Sequence, residues 1–149
     1  MVIHHQVRNQ GMANGGSVGG YAASIHSDSS ITHADGLFKK IVAHMSPEYK
    51  TGRFLYINAW RNISDTPIED NHLAMLDERT TIKPDDYLVS DLYTATETQA
   101  EPQYKLRPKN SDKHQWWYFS AMKKNEVILF KQYDSDVTLT GRSCFHTAF

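Results

Sequence analysis

The sequence predicts a single α+β domain that is mainly β, a β-sandwich or small barrel with one helix packed on its outside. The chain has 149 residues, of which 40% are hydrophobic and 22% are charged, which is enough apolar mass for one core. One segment has helical periodicity, and the segments after it are short, rich in aromatic and β-branched residues, and bounded by turn residues. These observations exclude a disordered tail and favour one helix followed by many strands.

The N-terminal part of the chain has the composition of a loop. Five of the eight glycines lie between Gly11 and Gly20, where they are mixed with Asn14 and Ser17. This composition is typical of a flexible connection rather than of a helix or a strand. We therefore expect residues 1–20 to form a flexible segment and residues 21–149 to form the packed domain.

The helix is predicted over Thr32–Met45, with Thr32 as its N-cap and Pro47 just beyond its end. Its apolar residues recur at helical spacing: Leu37, Phe38, Ile41, Val42 and Met45. The segment Asn71–Thr80 fits either a strand or a helix. Six later segments have the composition of strands, namely Arg53–Arg61, Tyr87–Thr96, Gln103–Leu106, His114–Ser120, Glu126–Tyr133 and Ser143–Phe149.

Charge and hydropathy exclude several classes of partner. The 16 Lys and Arg residues are balanced by 17 Asp and Glu residues, so no positive excess is available to hold a nucleic-acid backbone. The longest aliphatic or aromatic runs, Val127–Phe130 among them, are four residues long, far below the roughly 20 residues that cross a bilayer. Cys144 is the only cysteine and the first residues lack an apolar signal segment, so we expect a cytoplasmic protein without an internal disulfide.

A candidate metal site begins with His26 and Asp28, which follow Tyr21–Ile25, a segment whose composition permits a strand. In a strand, residues two apart project to one face, so an imidazole and a carboxylate at this spacing can bind one ion. His146, in the last predicted strand, would complete a facial triad of two His and one carboxylate, the arrangement found around non-haem Fe(II). The alternatives are a turn with Asx-type hydrogen bonds at Asp28 and a half-buried His146 that donates to a carbonyl.

The same spacing occurs once more, at His33 and Asp35. This second pair lies at the start of the predicted helix, where residues two apart diverge by roughly 200° around the axis and cannot bind one ion. For Asp35 we expect a place in the first helical turn, where the helix dipole favours an acidic residue. The pair therefore serves as an internal control for the metal site.

Two arginines are placed to meet an anionic ligand. If the last predicted strand extends back to Arg142, then Arg142, Cys144 and His146 share one face, and a cation lies beside the imidazole. Arg61 ends an apolar face of the strand predicted at Arg53–Arg61 and needs an anionic partner, either a protein carboxylate or a ligand.

Six short sequence motifs, here called words, resemble in sequence and order those of the AsaB/CmcJ-like hydroxylase/desaturase family of oxidoreductases. Together they cover nearly all of the chain from His26 to Phe149. The words are Ile25–Ser30, Ile57–Ile63, Leu73–Asp77, Trp116–Phe119, Leu129–Ser135 and Phe145–Phe149.

The resemblance implies a double-stranded β-helix, the cupin-like jelly-roll fold, with Fe(II) as the metal and 2-oxoglutarate as the co-substrate. Carried over to this sequence, it implies that His26, Asp28 and His146 are the iron ligands. The implied chemistry couples oxidative decarboxylation of 2-oxoglutarate to hydroxylation or desaturation of a small secondary metabolite.

The sequence departs from the family at the anchor for the co-substrate. Many members continue past the last His to a strand with an Arg-x-Ser word that holds the distal carboxylate of 2-oxoglutarate, whereas this sequence ends at Phe149. Either another cation takes over, or the chain is a fragment or a compact, truncated member. The candidate cations, in order of preference, are Arg142, Arg61 and Lys131, although Lys131 equally fits the solvated end of an edge strand.

Two other functions compete with the oxygenase. One is a non-catalytic β-barrel binding module that has lost the co-substrate, for which the missing Arg-x-Ser strand is the best support. The other is a zinc hydrolase, which the His-Asp-His set disfavours because such sites more often use three His or a His-Glu combination. So short a barrel would also complete itself by pairing exposed strand edges in a homodimer.

Overall fold

The computed structural model describes residues 1–9, 18–49, 52–92 and 101–149. The middle of the Gly-rich segment, residues 10–17, lies outside the described residues. On either side of it, strand β1 (Val7–Arg8) pairs in parallel with strand β2 (Val18–Gly19). Residues 93–96, for which a strand is also predicted, lie outside the described ranges too.

Most of the described strands form one antiparallel sheet of six. Its spatial order is β6–β7–β3–β10–β5–β8, so neighbours in the sheet are often distant in sequence. The short strands β3 and β10 are at its centre, and each is paired on both sides. The strands are β3 (His26–Ser27), β5 (Leu73–Leu76), β6 (Tyr87–Leu92), β7 (Glu101–Leu106), β8 (Trp116–Tyr118) and β10 (His146–Ala148).

A second, two-stranded sheet packs against the centre of the first. Its antiparallel strands are β4 (Leu55–Trp60) and β9 (Ile128–Asp134). Inward and outward residues alternate along β4 and along the first half of β9, as in a sheet with one buried face, whereas the last three residues of β9 are all buried. The core between the sheets is built around Met122, Ile128 and Phe130, against which Met75 and other half-buried apolar residues pack.

The predicted helix is present as α1 (Ile31–Ala43). Its N-cap is Ser30 rather than Thr32, because Ser30 has extended backbone angles and its hydroxyl accepts from the backbone N–H of His33. The helix contacts β7, and its buried residue is Ala34. It therefore covers the larger sheet as one packed helix.

The strand predictions are right in type and wrong at several ends. The ambiguous segment 71–80 contains both β5 and a 3₁₀ turn at Glu78–Thr80, because Asp77 caps that turn through the backbone N–H of Arg79. The strand expected before His26 is absent from Tyr21–Ile25, and β3 consists of His26 and Ser27 alone. The last strand begins only at His146, so Arg142 lies in a bend before it.

Within the described part of the chain, no helix combines the length and the apolar composition that crossing a bilayer requires.

Candidate metal centre

The three predicted ligands come together at the centre of the larger sheet. His26 in β3 and His146 in β10 are directly opposite each other in the antiparallel register. Side chains that are opposite in this way project from the same face of a sheet. Asp28 lies one residue beyond the end of β3 and turns back towards both imidazoles.

The ligand atoms of the His26–Asp28–His146 triad converge on one point. Oδ1 of Asp28 lies 3.2 Å from Nε2 of His26 and 3.5 Å from Nε2 of His146. One ligand atom from each residue lies within 4.8 Å of the other two. Each imidazole is 9% exposed and the Asp28 side chain is 30% exposed, so the cluster is open to solvent on the side of the carboxylate.

Backbone carbonyls determine which nitrogen of each imidazole carries the proton. Nδ1 of His26 lies 2.7 Å from the carbonyl oxygen of Ser24, and Nδ1 of His146 lies 3.1 Å from that of Cys144. A carbonyl oxygen can only accept, so both Nδ1 atoms must donate. In a neutral imidazole this leaves Nε2 with a free lone pair, and both of these lone pairs face Asp28.

This arrangement requires positive charge between the three residues, which either protons on the Nε2 atoms or one metal ion would supply. Without it, two nitrogen lone pairs and a carboxylate oxygen would face one another in a largely buried site, which is unfavourable. The triad with neutral imidazoles carries one negative charge, which a divalent ion reverses to one positive charge. The donor set of two imidazoles and one carboxylate suits Fe(II) and similar divalent metals.

The carboxylate of Asp28 is held from two sides. Nδ2 of Asn58 in β4 donates to Oδ2 at 2.5 Å, which leaves Oδ1 for the imidazoles. In the metal-free site, burial by itself raises the pKa of Asp28, yet hydrogen bonds from His146 and His26 and the charge of these imidazoles outweigh it and hold that pKa well below its usual range. Asp28 is therefore ionised, the form that ligates a metal.

Gln132 in β9 holds the backbone around the triad. Its Oε1 accepts from the backbone N–H of Asp28 at 2.8 Å and from the hydroxyl of Ser27 at 3.3 Å. Tyr56 of β4 pairs with Tyr133 of β9, and the next residue, Ile57, pairs with Lys131. Gln132 is therefore the extra residue of a β-bulge. The bulge brings a buried amide to the triad from the second sheet.

The sequence interpretation missed Asn58 and Gln132, although both lie within the words that resemble the family. A usable signal was present in β4, where Asn58 occupies an inward position between Tyr56 and Trp60. A polar residue at an apolar position of a half-buried strand needs a partner. For Gln132 the signal is weaker, because the bulge that orients it is not visible in the sequence.

The second pair of His and acid behaves differently, as expected. His33 and Asp35 lie in α1, and neither belongs to the cluster of ligand atoms. We expected Asp35 in the first helical turn, but α1 begins at Ile31, so Asp35 lies beyond that turn. Its carboxylate accepts a hydrogen bond from the hydroxyl of Tyr133. Asp35 therefore joins α1 to β9.

The structure does not join Arg142 to the triad. Its Nε donates to the backbone oxygen of Asp134 at 2.8 Å, and its Nη2 donates to the hydroxyl of Tyr133 at 3.3 Å. Arg142 lines a cleft of about 690 Å³ together with Lys83 and Glu78, and no triad residue is among the described lining. Because β10 begins at His146, the shared strand face that favoured Arg142 does not exist.

Arg61 and Lys131 also lie apart from the triad. Arg61 is exposed and follows the end of β4. Lys131 follows Phe130 in β9, and the ring of Phe130 faces that of His146 with centroids 5.0 Å apart. Because adjacent residues of a strand project to opposite faces, Lys131 projects away from His146. The ammonium of Lys131 instead pairs with Asp134 at 3.0 Å. Their role as anchors of the co-substrate stays a prediction.

With the fold and site described, comparison with known proteins shows which class of protein this is. The family model described as "Oxidoreductase/YMDC permease-like domain" matches residues 1–149. The chain belongs to that family. Its relatives place it, more narrowly, in the hydroxylase/desaturase family of Fe(II)/2-oxoglutarate oxygenases, as the sequence words indicate.

Two curated relatives carry this assignment. The chain is 31% identical over 134 residues to the Fe(II)/2-oxoglutarate-dependent dioxygenase nvfI of Aspergillus novofumigatus, covering 90% of this chain and 46% of the relative. It is 29% identical over 140 residues to the hydroxylase/desaturase efuI of Hormonema carpetanum, covering 86% of this chain and 45% of the relative. The chain thus spans about half the length of the curated relatives it matches.

The fold agrees with that of a solved relative. The structure of the iron and alpha-ketoglutarate-dependent endoperoxidase NvfI superposes with a TM-score of 0.80 at 28% sequence identity, covering 95% of this chain and 50% of that one. Oxygenases of this kind have a jelly-roll fold. The expected double-stranded β-helix with mainly antiparallel strands is therefore confirmed.

Proposed function

We propose that this chain forms the metal-binding part of an Fe(II)- and 2-oxoglutarate-dependent oxygenase that hydroxylates or desaturates a small secondary metabolite. Within it, His26, Asp28 and His146 are the metal ligands. The relatives include an Fe(II)/2-oxoglutarate-dependent dioxygenase, which supports the cofactor and the co-substrate, and a hydroxylase/desaturase, which supports the reaction class.

One observation carries the metal proposal. Both imidazoles donate from Nδ1 to a backbone carbonyl, so in both residues Nε2, the atom left for a metal, faces the ionised Asp28. A hydrogen bond behind each ligating His is the usual support of a metal site, because it fixes the tautomer and the orientation of the ring.

Each residue near the triad then has a defined task. The imidazoles of His26 and His146 and the carboxylate of Asp28 would hold one face of the ion, and other positions would remain open for ligands. Asn58 orients the carboxylate, and Gln132 fixes the backbone on which the carboxylate is carried. When bound, Fe(II) supplies the redox chemistry with dioxygen that no side chain here can supply.

Anaerobic Fe(II) titration tests the metal site. We expect His26→Ala, Asp28→Ala and His146→Ala each to abolish Fe(II) binding. His33→Ala and Asp35→Ala are the matched controls, because they remove a His and an Asp with the same spacing from α1, and they should bind Fe(II) as the unaltered protein does. Loss of metal in the controls together with retention in His26→Ala would place the site elsewhere.

A second measurement distinguishes the oxygenase from the binding module. With Fe(II) and dioxygen present, the oxygenase should convert 2-oxoglutarate to succinate and carbon dioxide. A protein that binds Fe(II) but neither binds nor decarboxylates 2-oxoglutarate would be the non-catalytic module.

The remaining parts of the proposal depend on the sequence. We propose a small-molecule substrate rather than nucleic acid, because positive and negative side chains are balanced. We also propose a cytoplasmic location, a packed domain over residues 21–149 that follows an N-terminal segment over residues 1–20, and a homodimer formed through free strand edges. Size-exclusion chromatography with light scattering tests the last of these.

A further inference from the structure

We propose that Lys105 binds the distal carboxylate of 2-oxoglutarate; this inference rests on the function proposed above. Of the three cations predicted from the sequence, Arg142 and Lys131 bind other groups, and Arg61 is exposed beyond the end of β4. Lys105 was not a candidate from the sequence, because only the pairing of the strands places it beside the triad.

The strand register brings Lys105 to the triad. Lys105 in β7 is directly opposite His26 in β3, and His26 is in turn opposite His146 in β10. Opposite residues of antiparallel strands project from the same face, with their Cβ atoms about 5 Å apart. The side chain of Lys105 therefore leaves the sheet on the face that carries both imidazoles, next to His26.

The ammonium group of Lys105 is free to take an anionic ligand. Its described partner is the hydroxyl of Ser24, which is neutral and lies at 2.9 Å. Other lysines near the sheets are already paired, Lys83 with Glu78 and Lys131 with Asp134. The charge of Asp28 acts on Lys105, and a metal ion bound to Asp28 would cancel that attraction.

The surroundings of Lys105 leave room for a ligand. The smaller sheet covers the middle of the larger one, where Asn58 reaches Asp28 and Phe130 reaches His146. Beyond β7 the same face continues to Leu88, which is opposite Lys105 and 44% exposed. A 2-oxo acid bound to the ion can therefore extend towards β7, where the flexible four-carbon stem of lysine adjusts to its length.

Binding of two 2-oxo acids tests this assignment. Pyruvate has the 2-oxo acid group of 2-oxoglutarate but lacks the distal carboxylate, so Lys105 should matter for 2-oxoglutarate alone. In Lys105→Met we expect the dissociation constant for 2-oxoglutarate, measured anaerobically on the Fe(II)-loaded protein, to rise about 10- to 30-fold. Fe(II) affinity and the affinity for pyruvate should stay within about twofold, and Lys105→Arg should retain most of the affinity for 2-oxoglutarate.

Matched variants make the outcome decisive. Lys124→Met, which removes an exposed lysine paired with Asp65, should bind 2-oxoglutarate as the unaltered protein does. Unchanged binding in Lys105→Met, or the expected loss in Lys131→Met or Arg142→Gln instead, would overturn the assignment to Lys105 while leaving the oxygenase intact. An unaltered protein that binds Fe(II) but not 2-oxoglutarate would overturn both proposals.

Discussion

Replacing Gln132 by methionine tests whether a buried amide holds Asp28 in position to bind a metal. Methionine is similar in length and flexible, so it fills the same space without a strong acceptor. Gln132 is 1% exposed, and its Oε1 accepts from the backbone N–H of Asp28. In Gln132→Met this N–H remains inside the protein without that acceptor.

The expected loss of stability follows from counting the donors that lose their acceptor. The hydroxyl of Ser27 keeps a second acceptor, the carbonyl oxygen of Ser29 at 3.3 Å, so only the N–H of Asp28 is left unpaired. An unpaired buried donor costs about 1–3 kcal/mol, which corresponds to a fall in Tm of about 2–12 °C for a domain of this size. Because the position of Asp28 then relaxes, Fe(II) affinity should fall about 10- to 100-fold.

Two assays separate these effects. Urea unfolding of the metal-free protein gives the change in the free energy of unfolding, and anaerobic Fe(II) titration well below the Tm gives the change in affinity. Asn110→Leu is the control, because it removes a buried hydrogen bond to Asp86, and neither residue belongs to the ligand cluster. It should lose stability and keep its Fe(II) affinity. If Gln132→Met bound Fe(II) as tightly as Asn110→Leu does, Gln132 would have no part in positioning Asp28.

Three further predictions concern single residues. Asn58→Leu frees one oxygen of Asp28, and we expect a fall of about tenfold in Fe(II) affinity by the same titration. Arg53 holds the pKa of Asp134 well below its usual range, so Asp134→Asn should lose about 2 kcal/mol of unfolding free energy at pH 7. This loss, measured by urea unfolding, should shrink as the pH falls below about 4, because Asp134 of the unfolded chain protonates there. Burial raises the pKa of Cys144 to about 12, so at pH 8 far less of this thiol is ionised in the native than in the unfolded protein. A more basic thiolate is more nucleophilic, which offsets part of this difference, and we expect the native protein to react with an aromatic disulfide about 50-fold more slowly.

The sequence predicts α1 and most strands in type because their periodicity is local. It fails at their ends, where contacts distant in the chain decide the outcome. The strand at Ser143–Phe149 was expected to be continuous, yet Ser143 donates its backbone N–H to the buried carboxylate of Glu78 rather than to a neighbouring strand. That one buried acid shortens β10 and moves Arg142 out of the face of His146.

The candidate ligands could be predicted from the sequence for a different reason. His26 and Asp28 are close in the chain, so their spacing alone restricts their geometry. His146 is not close; it was a candidate as a His in the last predicted strand, and the resemblance to a family strengthened its connection to the other two residues. The pairing of β3 with β10 now supplies the physical link, because it places the imidazoles of His26 and His146 on one face.

The positions of Lys105 and Gln132 beside the triad could not be predicted from any local sequence pattern. Lys105 is beside His26 only because β7 pairs with β3 in one register, and a shift of one residue would turn its side chain to the other face. Gln132 reaches Asp28 only because a bulge adds one residue to β9. Both depend on how distant strands align, whereas Arg142 was chosen for a face of its own strand shared with His146, and Lys131 as a cation on its own strand. In a sheet whose neighbours are distant in sequence, the side chains beside a ligand are therefore found by following the row of paired residues across the strands, and here that row passes from His146 through His26 to Lys105.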